Sequence, residues 1–445
     1  MEGFPVRVIG NILSHFADVQ DVVRASWTCR KWRAAFRHLH TLRHEYVEVF
    51  HFWEIGDEEQ ELEQKHECLL TDTILQTSGL QNLSIVHSVS FSATAVVAWL
   101  LHTGDSLCHL TYHVPKSTPY VNLLERCSRM KCLKSLDFSQ TGIRFTKAGP
   151  IAERFLCLLS LRMFSVEASA LQIQSLVSTC QKLESLSLEC ITFLDTKLTL
   201  SLTSSSLKSF FLKGMSRGDV ILEAKRLESL RLLDSKLSSF KLVKKSARLW
   251  SLSTVKLRSL TIDDVELEHF DLGDSTCDLN FEELELRASG LAVCIAIDRV
   301  LSIPSMQLRR LQLMDIPLAV DLMNMRLERI AFFYPRLYYL GLSYTLLPGQ
   351  YDLSYPTPKE FCGSTVLGKV RTLELEGPKL DGSFLVLMGE ALKRCPNVTR
   401  LIVRIDEGEA EIKGAYDVTR FIQLVRQYER VVIEFRNRHD RITGS

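Results

Sequence analysis

From about residue 69 onward the apolar residues of this chain recur in one spacing, apolar-x-x-apolar-x-apolar. The early copies are Leu80/Leu83/Ile85, Leu107/Leu110/Tyr112, Leu133/Leu136/Phe138, Leu156/Leu159/Leu161, Leu183/Leu186/Leu188 and Leu207/Phe210/Leu212. The later ones are Leu227/Leu230/Leu232, Leu257/Leu260/Ile262, Phe281/Leu284/Leu286, Leu308/Leu311/Leu313, Leu337/Leu340/Leu342, Val370/Leu373/Leu375 and Val398/Leu401/Val403. Thirteen copies at steps of 20 to 33 residues exceed chance and predict a stack of structural repeats. In each copy the last two apolar residues alternate with one other residue, so they share one face of a short strand. The remainder of each unit has room for a returning helix or turn. Amphipathic spacing predicts helices over 92–102, 119–130, 168–179, 320–333 and 383–394. Pro396, in Cys395-Pro-Asn-Val398, cannot continue the last of them.

Between about 207 and 272 the pattern also recurs at ten-residue intervals, through Leu237/Phe240/Leu242 and Leu267/Phe270/Leu272. This predicts short strand-rich arcs with little or no helix. Residues 416–445 carry helical spacing at Phe421, Leu424 and Val425, then a strand-like Val431-Val432-Ile433 and a charged tail. That pattern fits a cap over the end of a stacked core. Ahead of the repeats, residues 45–68 are dominated by acid, with Lys65 as the only Lys or Arg, and read as a solvated connector. The predicted fold class is α/β. A helical N-terminal domain (1–44) and the acidic connector (45–68) precede a repeat solenoid (69–415), a curved parallel β-sheet with helices or turns on its convex side. The C-terminal cap and tail (416–445) complete it.

Residues 1–44 read as short basic helices. Pro5 suits the first turn of a helix. Val8, Ile9, Ile12, Leu13 and Phe16 form one apolar stripe, and Asp21 can open a second helix as a cap or first-turn acid. So small and apolar a segment buries one face against something else, either the first repeat or an external partner. Phe4-Pro5, Ile9, Ile12-Leu13, Asp21-Val22, Cys29-Arg30 and Trp32 together resemble the F-box. There are two departures: Phe4 stands where Leu is usual, and Arg7 where an acid is usual. A cation in the first helical turn opposes the macrodipole by roughly a few tenths of a kcal/mol. The resemblance implies docking of residues 4–33 on a Skp-type adaptor of a cullin ubiquitin ligase. Phe4, Pro5, Val8, Ile9, Ile12, Leu13, Val22 and Trp32 would form that interface. An F-box joined to Leu-rich units is similar to the F-box/LRR-repeat substrate receptors, and Cys395-Pro-Asn-Val398 with the ten-residue arcs resembles their plant members.

Composition narrows the function classes. The 445 residues are 46% hydrophobic and 24% charged, a globular balance. A net charge of +1 argues against a dedicated nucleic-acid or anionic-membrane binder. No stretch reaches the roughly 18–20 uncharged apolar residues of a membrane helix, and Glu2 and Arg7 interrupt any signal-peptide core. The twelve cysteines are scattered without a CxxC, as in a reduced protein of the cytoplasm or nucleus. No GxxxxGK[ST], GxGxxG or GxSxG occurs, and Cys127, Cys132 and Cys294 have no neighbouring His to raise thiolate character. Ten of the twelve histidines precede residue 114. His38, His40 and His44 could ligate a metal, but without a Cys pair at zinc spacing they read as surface histidines, so no metal and no catalytic residue is assigned. His109 and His113 lie on or beside one strand and read the same way.

Recognition falls to the side chains that alternate with the core pairs. In the first half of the repeats these include Asn82, Ser84, Thr111, Asp137, Arg162, Ser187 and Glu189; in the second they mix Arg, Glu and Tyr. Arg287, Arg310, Tyr339 and Arg404 are the candidate substrate contacts, because Arg and aromatic residues concentrate interface energy. Related plant receptors hold a small hormone or an inositol polyphosphate on this face. Arg231, Arg287, Arg310 and Arg404 are interleaved with Asp263, Glu285, Glu374 and Glu376, which disfavours a polyphosphate, and no cofactor is assigned. The loop 344–365, rich in Tyr and Pro, is the longest irregular insertion. The expected function is non-catalytic substrate recruitment for a ubiquitin ligase; the alternatives are a non-degradative scaffold and a hormone-type co-receptor.

Overall fold

In a computed structural model the described residues are 4–16, 18–46, 57–88, 90–114, 123–139, 155–195, 198–243, 257–271, 281–287, 298, 300–302, 305–317, 327–345, 365–377, 382–405, 415–428 and 430–437. Two compact units divide the chain: Met1–Met215 with Ile221–Ala224, and Ser216–Val220 with Lys225–Ser445.

The first unit opens with three helices, α1 (Val6–Leu13), α2 (Val19–Ser26) and α3 (Arg30–Ala34), followed by a 3-10 turn, Ala35–His38. Asp18 starts α2 by accepting the Gln20 amide at 2.7 Å, one of the donors that a helix start leaves unpaired. Gly10 lets α1 lie against the 3-10 turn, since a Cβ there would come within 2.6 Å of His38 Cβ. Then come β1 (Thr41–Tyr46), α4 (Asp57–Gln76), β2 (Asn82–His87), α5 (Ala93–Thr103) and β3 (His109–His113). The unit continues with α6 (Leu123–Cys127), β4 (Ser135–Ser139), β5 (Ser160–Phe164), β6 (Glu167–Ala168), α7 (Ala170–Thr179), β7 (Ser185–Glu189), β8 (Thr192–Phe193), β9 (Thr199–Ser204) and β10 (Ser209–Lys213). Strands β1, β2, β3, β4, β5, β7 and β10 pair in parallel, each with the next. Leu42, Leu83, Leu110, Leu136, Leu161, Leu186 and Phe210 stand side by side in one buried column.

Among its described residues the second unit has no helix before Asp298. After β11 (Asp219–Ala224), which straddles the boundary, it runs through β12 (Ser229–Leu242), β13 (Ser259–Asp271), β14 (Glu283–Arg287), β15 (Arg310–Pro317), β16 (Tyr339–Thr345), β17 (Thr372–Glu376), β18 (Arg400–Ile405) and β19 (Val432–Asn437). From β12 on, each strand is parallel to the next. The ten-residue arcs appear as two long strands, with Leu230 opposite Leu260 and Leu237 opposite Leu267. Helices Leu327–Phe333, Gly382–Arg394 and Ala415–Gln427 return the chain between later strands. These strands and helices make the fold a leucine-rich-repeat solenoid with helices at its N-terminus.

A shared corner follows several core pairs, just past the ends of β5, β7 and β10 and inside β12 and β15. Ser165, Cys190, Asp234 and Asp315 have φ between 44° and 52°, and Gly214 has 71°; each lies two residues beyond the second core side chain of its copy. A left-handed residue there bends the chain, ending β5, β7 and β10 and interrupting β12 and β15.

The structure corrects three sequence-based expectations. The fourth copy is framed two residues later than its Leu spacing suggested. Leu158, Leu161 and Met163 are buried, and Leu136 pairs with Leu161, whereas Leu156 is 61% exposed. The repeats also begin before residue 69, because β1 already pairs with β2, Leu42 opposite Leu83 and His44 opposite Ile85. The boundary at 44 therefore cuts a strand, and much of the acidic connector is α4, with 47–56 outside the described residues. At the far end, the cap contains the full helix Ala415–Gln427 and a further sheet strand, β19, paired with β18; the tail from 438 lies outside the described residues. Among the described residues no helix is long and apolar enough to cross a membrane.

The two frames of the fourth copy are separable by experiment. Leu158→Ala should cost about 2–5 kcal/mol in urea unfolding, and Leu156→Ala no more than ~0.5 kcal/mol. Equal losses would mean the frame is wrong.

Candidate functional site

The apolar stripe of the N-terminal helices divides between two faces. Ile9, Leu13 and Val22 are 1%, 0% and 2% exposed and form the unit's own core with Ala35, Phe36 and Leu39. Trp32 packs partly against that core, as do Val6 and Phe16. Ile9, Leu13 and Val22 thus cannot be contact residues, contrary to the sequence-based assignment: the three-helix unit needs them to close on itself. Phe4, Val8 and Ile12 remain 49%, 38% and 38% exposed, and Pro5 is exposed beside them. Val8 and Ile12, one helical turn apart, share a side of α1. Trp27, at the end of α2 and absent from the sequence-based set, is 71% exposed; a lone Trp outside the stripe gave no periodic signal.

The four candidate recognition residues of the second unit fall into one polar network. Arg287 on β14 lies 3.2 Å from Asp263 Oδ1, 2.6 Å from Asp315 Oδ2 and 3.1 Å from Glu376 Oε2. The left-handed corner at Asp315 helps to place its carboxylate there. Arg310 donates to Gln312 Oε1 at 3.1 Å and stacks over Tyr339, its Cζ 4.0 Å from the ring centroid. Gln312 in turn donates to Glu374 at 2.8 Å, and the Tyr339 hydroxyl and Arg404 Nε also donate to Glu374. Gln312 on β15 reaches Glu374 on β17 across β16 because position 341 is glycine. A Cβ at Gly341 would come within 2.8 Å of Gln312 Cγ. The structure therefore brings Arg310, Tyr339 and Arg404 together through Glu374, with Arg287 on the neighbouring Glu376. Arg287 and Arg404 are engaged by buried carboxylates, whereas Arg310 and Tyr339 retain partial exposure. On the last strand pair, bonds from Arg400 and Arg436 pull Glu434 down to about 2. The loop 346–364 lies outside the described residues.

In the first unit the corresponding face is also self-paired. His113 contacts Asp137 at 2.9 Å, and Arg162 joins Glu189 at 2.7 Å. His38, His40 and His44 do not converge: His40 bonds Ser14 Oγ at 2.5 Å, while His44 turns inward to His66 and His87. Burial pushes the His44 imidazole down, against the pull of Asp18. Burial also pushes the Cys127, Cys180 and Cys395 thiols up to about 12, the opposite of what a nucleophile needs.

Two comparisons bear on this arrangement. A family model described as "FBD-associated F-box protein At5g56370, LRR repeats" matches residues 98–281. The "F-box/LRR-repeat protein At1g67190" of Arabidopsis thaliana is 35% identical over 445 residues, covering 98% of this chain and 99% of that protein.

Removing Arg404 should leave the Glu374 carboxylate buried without its cation. Arg404→Ala is expected to cost about 3–5 kcal/mol in urea unfolding, with much of it regained in the Arg404→Ala/Glu374→Gln pair. An additive double variant would dismiss the coupling. Thiol labelling at pH 8 should modify Cys29, Cys132 and Cys190 in the folded chain and reach Cys127, Cys180 and Cys395 only on unfolding.

Proposed function

Because the chain belongs to the F-box/LRR-repeat family, we propose that it is the substrate-recruiting subunit of a Skp–cullin–F-box ubiquitin ligase. The observation that carries this reading is the division of the N-terminal stripe. The three helices close their own core with Ile9, Leu13 and Val22 and still present Phe4, Val8, Ile12 and Trp27 to the outside. A solvent-facing apolar set on a self-contained helical unit is what an adaptor would cover. Arg7 lies on the same helix and changes its charge without removing those contacts.

In this reading the repeats hold a protein substrate through the face that carries Arg310 and Tyr339. The chain contributes to ubiquitin transfer by proximity, the bond-making groups being supplied by other subunits. The pairing of Arg287 and Arg404 with Glu376 and Glu374 favours a protein surface over a polyphosphate, which needs several unneutralised cations. The complex acts in the cytoplasm, the nucleus or both.

The test uses the exposed residues, since Ile9→Asp or Leu13→Asp would unfold the helices. Wild-type chain should capture a Skp-type adaptor, and Val8→Asp/Ile12→Asp should lose it while keeping the wild-type circular dichroism. Equal capture by both proteins would reject the docking surface. Stabilisation of no cellular protein on knock-down would reject the degradative role.

A further inference from the structure

Three imidazoles meet inside the first repeat, where every paired strand of the first unit places an apolar side chain. His44 on β1 occupies the second core position, in register with Ile85 and then with Tyr112, Phe138, Met163, Leu188 and Leu212. His66 comes from α4 and His87 from the end of β2, and all three are buried. His44 Nε2 lies 3.0 Å from His66 Nδ1, and His87 Nε2 lies 3.2 Å from the same atom. The three ligand atoms all fall within 4.8 Å of one another.

Hydrogen bonding alone fits this convergence poorly. A neutral ring nitrogen offers either one proton or one in-plane lone pair. His66 Nδ1 faces two ring nitrogens, and it can make one well-formed bond with only one of them at a time. A cation accepts all the lone pairs together. Tetrahedral zinc with bonds of about 2.0–2.1 Å to nitrogen places its ligand atoms about 3.3 Å apart, close to the two short separations here.

The surroundings match as well. The other nitrogen of His44, Nδ1, lies 3.3 Å from Asp18 Oδ2. A carboxylate there holds the proton on Nδ1 and turns the Nε2 lone pair inward, the outer partner that metal-bound histidines usually have. Asp18 is itself fixed, its carboxylate accepting the Gln20 amide at 2.7 Å and the Glu45 amide at 3.2 Å. Tyr46 lies against His66 and His87, and Phe91 against His87, so aromatic rings wall the cluster.

We propose that His44, His66 and His87 bind one divalent transition-metal ion, zinc by its ligand preference, with water as the fourth ligand. The ion joins β1, α4 and β2 and, through Asp18, the start of α2, and so locks the N-terminal helices onto the first two repeats. The ligands are imidazole alone, a set that suits zinc, copper, nickel and cobalt rather than magnesium or calcium.

The test is metal content and cobalt absorption of the full chain. Protein purified without chelator and dialysed against micromolar Zn2+ should retain about one ion per chain, and His66→Asn or His87→Asn should lose it. Asp18→Asn keeps a good helix cap and should weaken zinc about 10–100-fold by releasing His44. His109→Asn, on a neighbouring strand, should bind as the wild type does. Where a histidine variant fails to fold, Co2+ titration of the wild type decides: visible bands of a tetrahedral nitrogen-ligated ion support the site. Their absence, or equal zinc retention by folded His66→Asn, would overturn it and leave three hydrogen-bonded imidazoles. Adaptor capture is measured separately and does not depend on this result.

Discussion

The structure depends on keeping parallel strands in register. Each repeat strand from β1 to β18 buries a pair of side chains on its core face, and the pairing sets them beside the same two positions of the next. In the first unit this gives one column from Leu42 to Phe210. In the second it gives Leu230, Leu260, Leu284, Leu311, Leu340, Leu373 and Leu401. A slip of one residue would turn every such pair out of the core. The register also fixes the opposite face, since the residues between the core pairs have no other place to go. A second face is therefore a by-product of core packing, and its exposed side chains can vary more freely than the core pairs or the buried Glu374 and Glu376.

That constraint explains which parts were legible in the chain. Leu-rich copies at a steady period expose strands directly, and the helix-poor stretch near 207–272 showed itself through its ten-residue recurrence. The fourth copy was misframed because Leu156-Cys-Leu-Leu-Ser-Leu-Arg-Met163 satisfies the pattern in two frames, and only pairing with Leu136 chooses between them. The first strand escaped notice because His44 fills a position the pattern requires to be apolar. The N-terminal helices were half legible: Val8, Ile9, Ile12 and Leu13 make one stripe in sequence, but the stripe is wide enough to serve two faces. Packing against Phe36 and Leu39 claims half of it. The histidine cluster left no local signal at all. Residues 44, 66 and 87 are about a repeat apart, so their meeting is a property of stacking and not of any short motif.

Charge on the second unit's polar face shows how sequence can overstate a surface. Arg287 and Arg404 are spaced as free anchors would be, yet each sits against a carboxylate two or more strands away or on the next strand. Glu374 and Glu376 are nearly fully buried, and without those cations each would lose its charge partner there. The pairs neutralise one another and hold the face in one arrangement. What stays partly exposed on this face is the stacked pair of Arg310 over Tyr339, held in a geometry already set.

The first repeat poses the sharper physical question. Its neighbour on one side is another repeat, but on the other it meets the helices α1 to α3, and an apolar side chain at position 44 would have completed the column as Ile85 does one strand along. Burying imidazoles instead costs free energy unless each ring nitrogen finds a partner. Apolar packing would also hold two elements together, but it tolerates small rotations between them. Directional bonds from Asp18 to His44 and onward to His66 and His87 do not. A polar cluster at this junction therefore makes sense as a device for angle more than for stability. It fixes the angle at which the helices with the exposed Val8 and Ile12 stand on the first repeats.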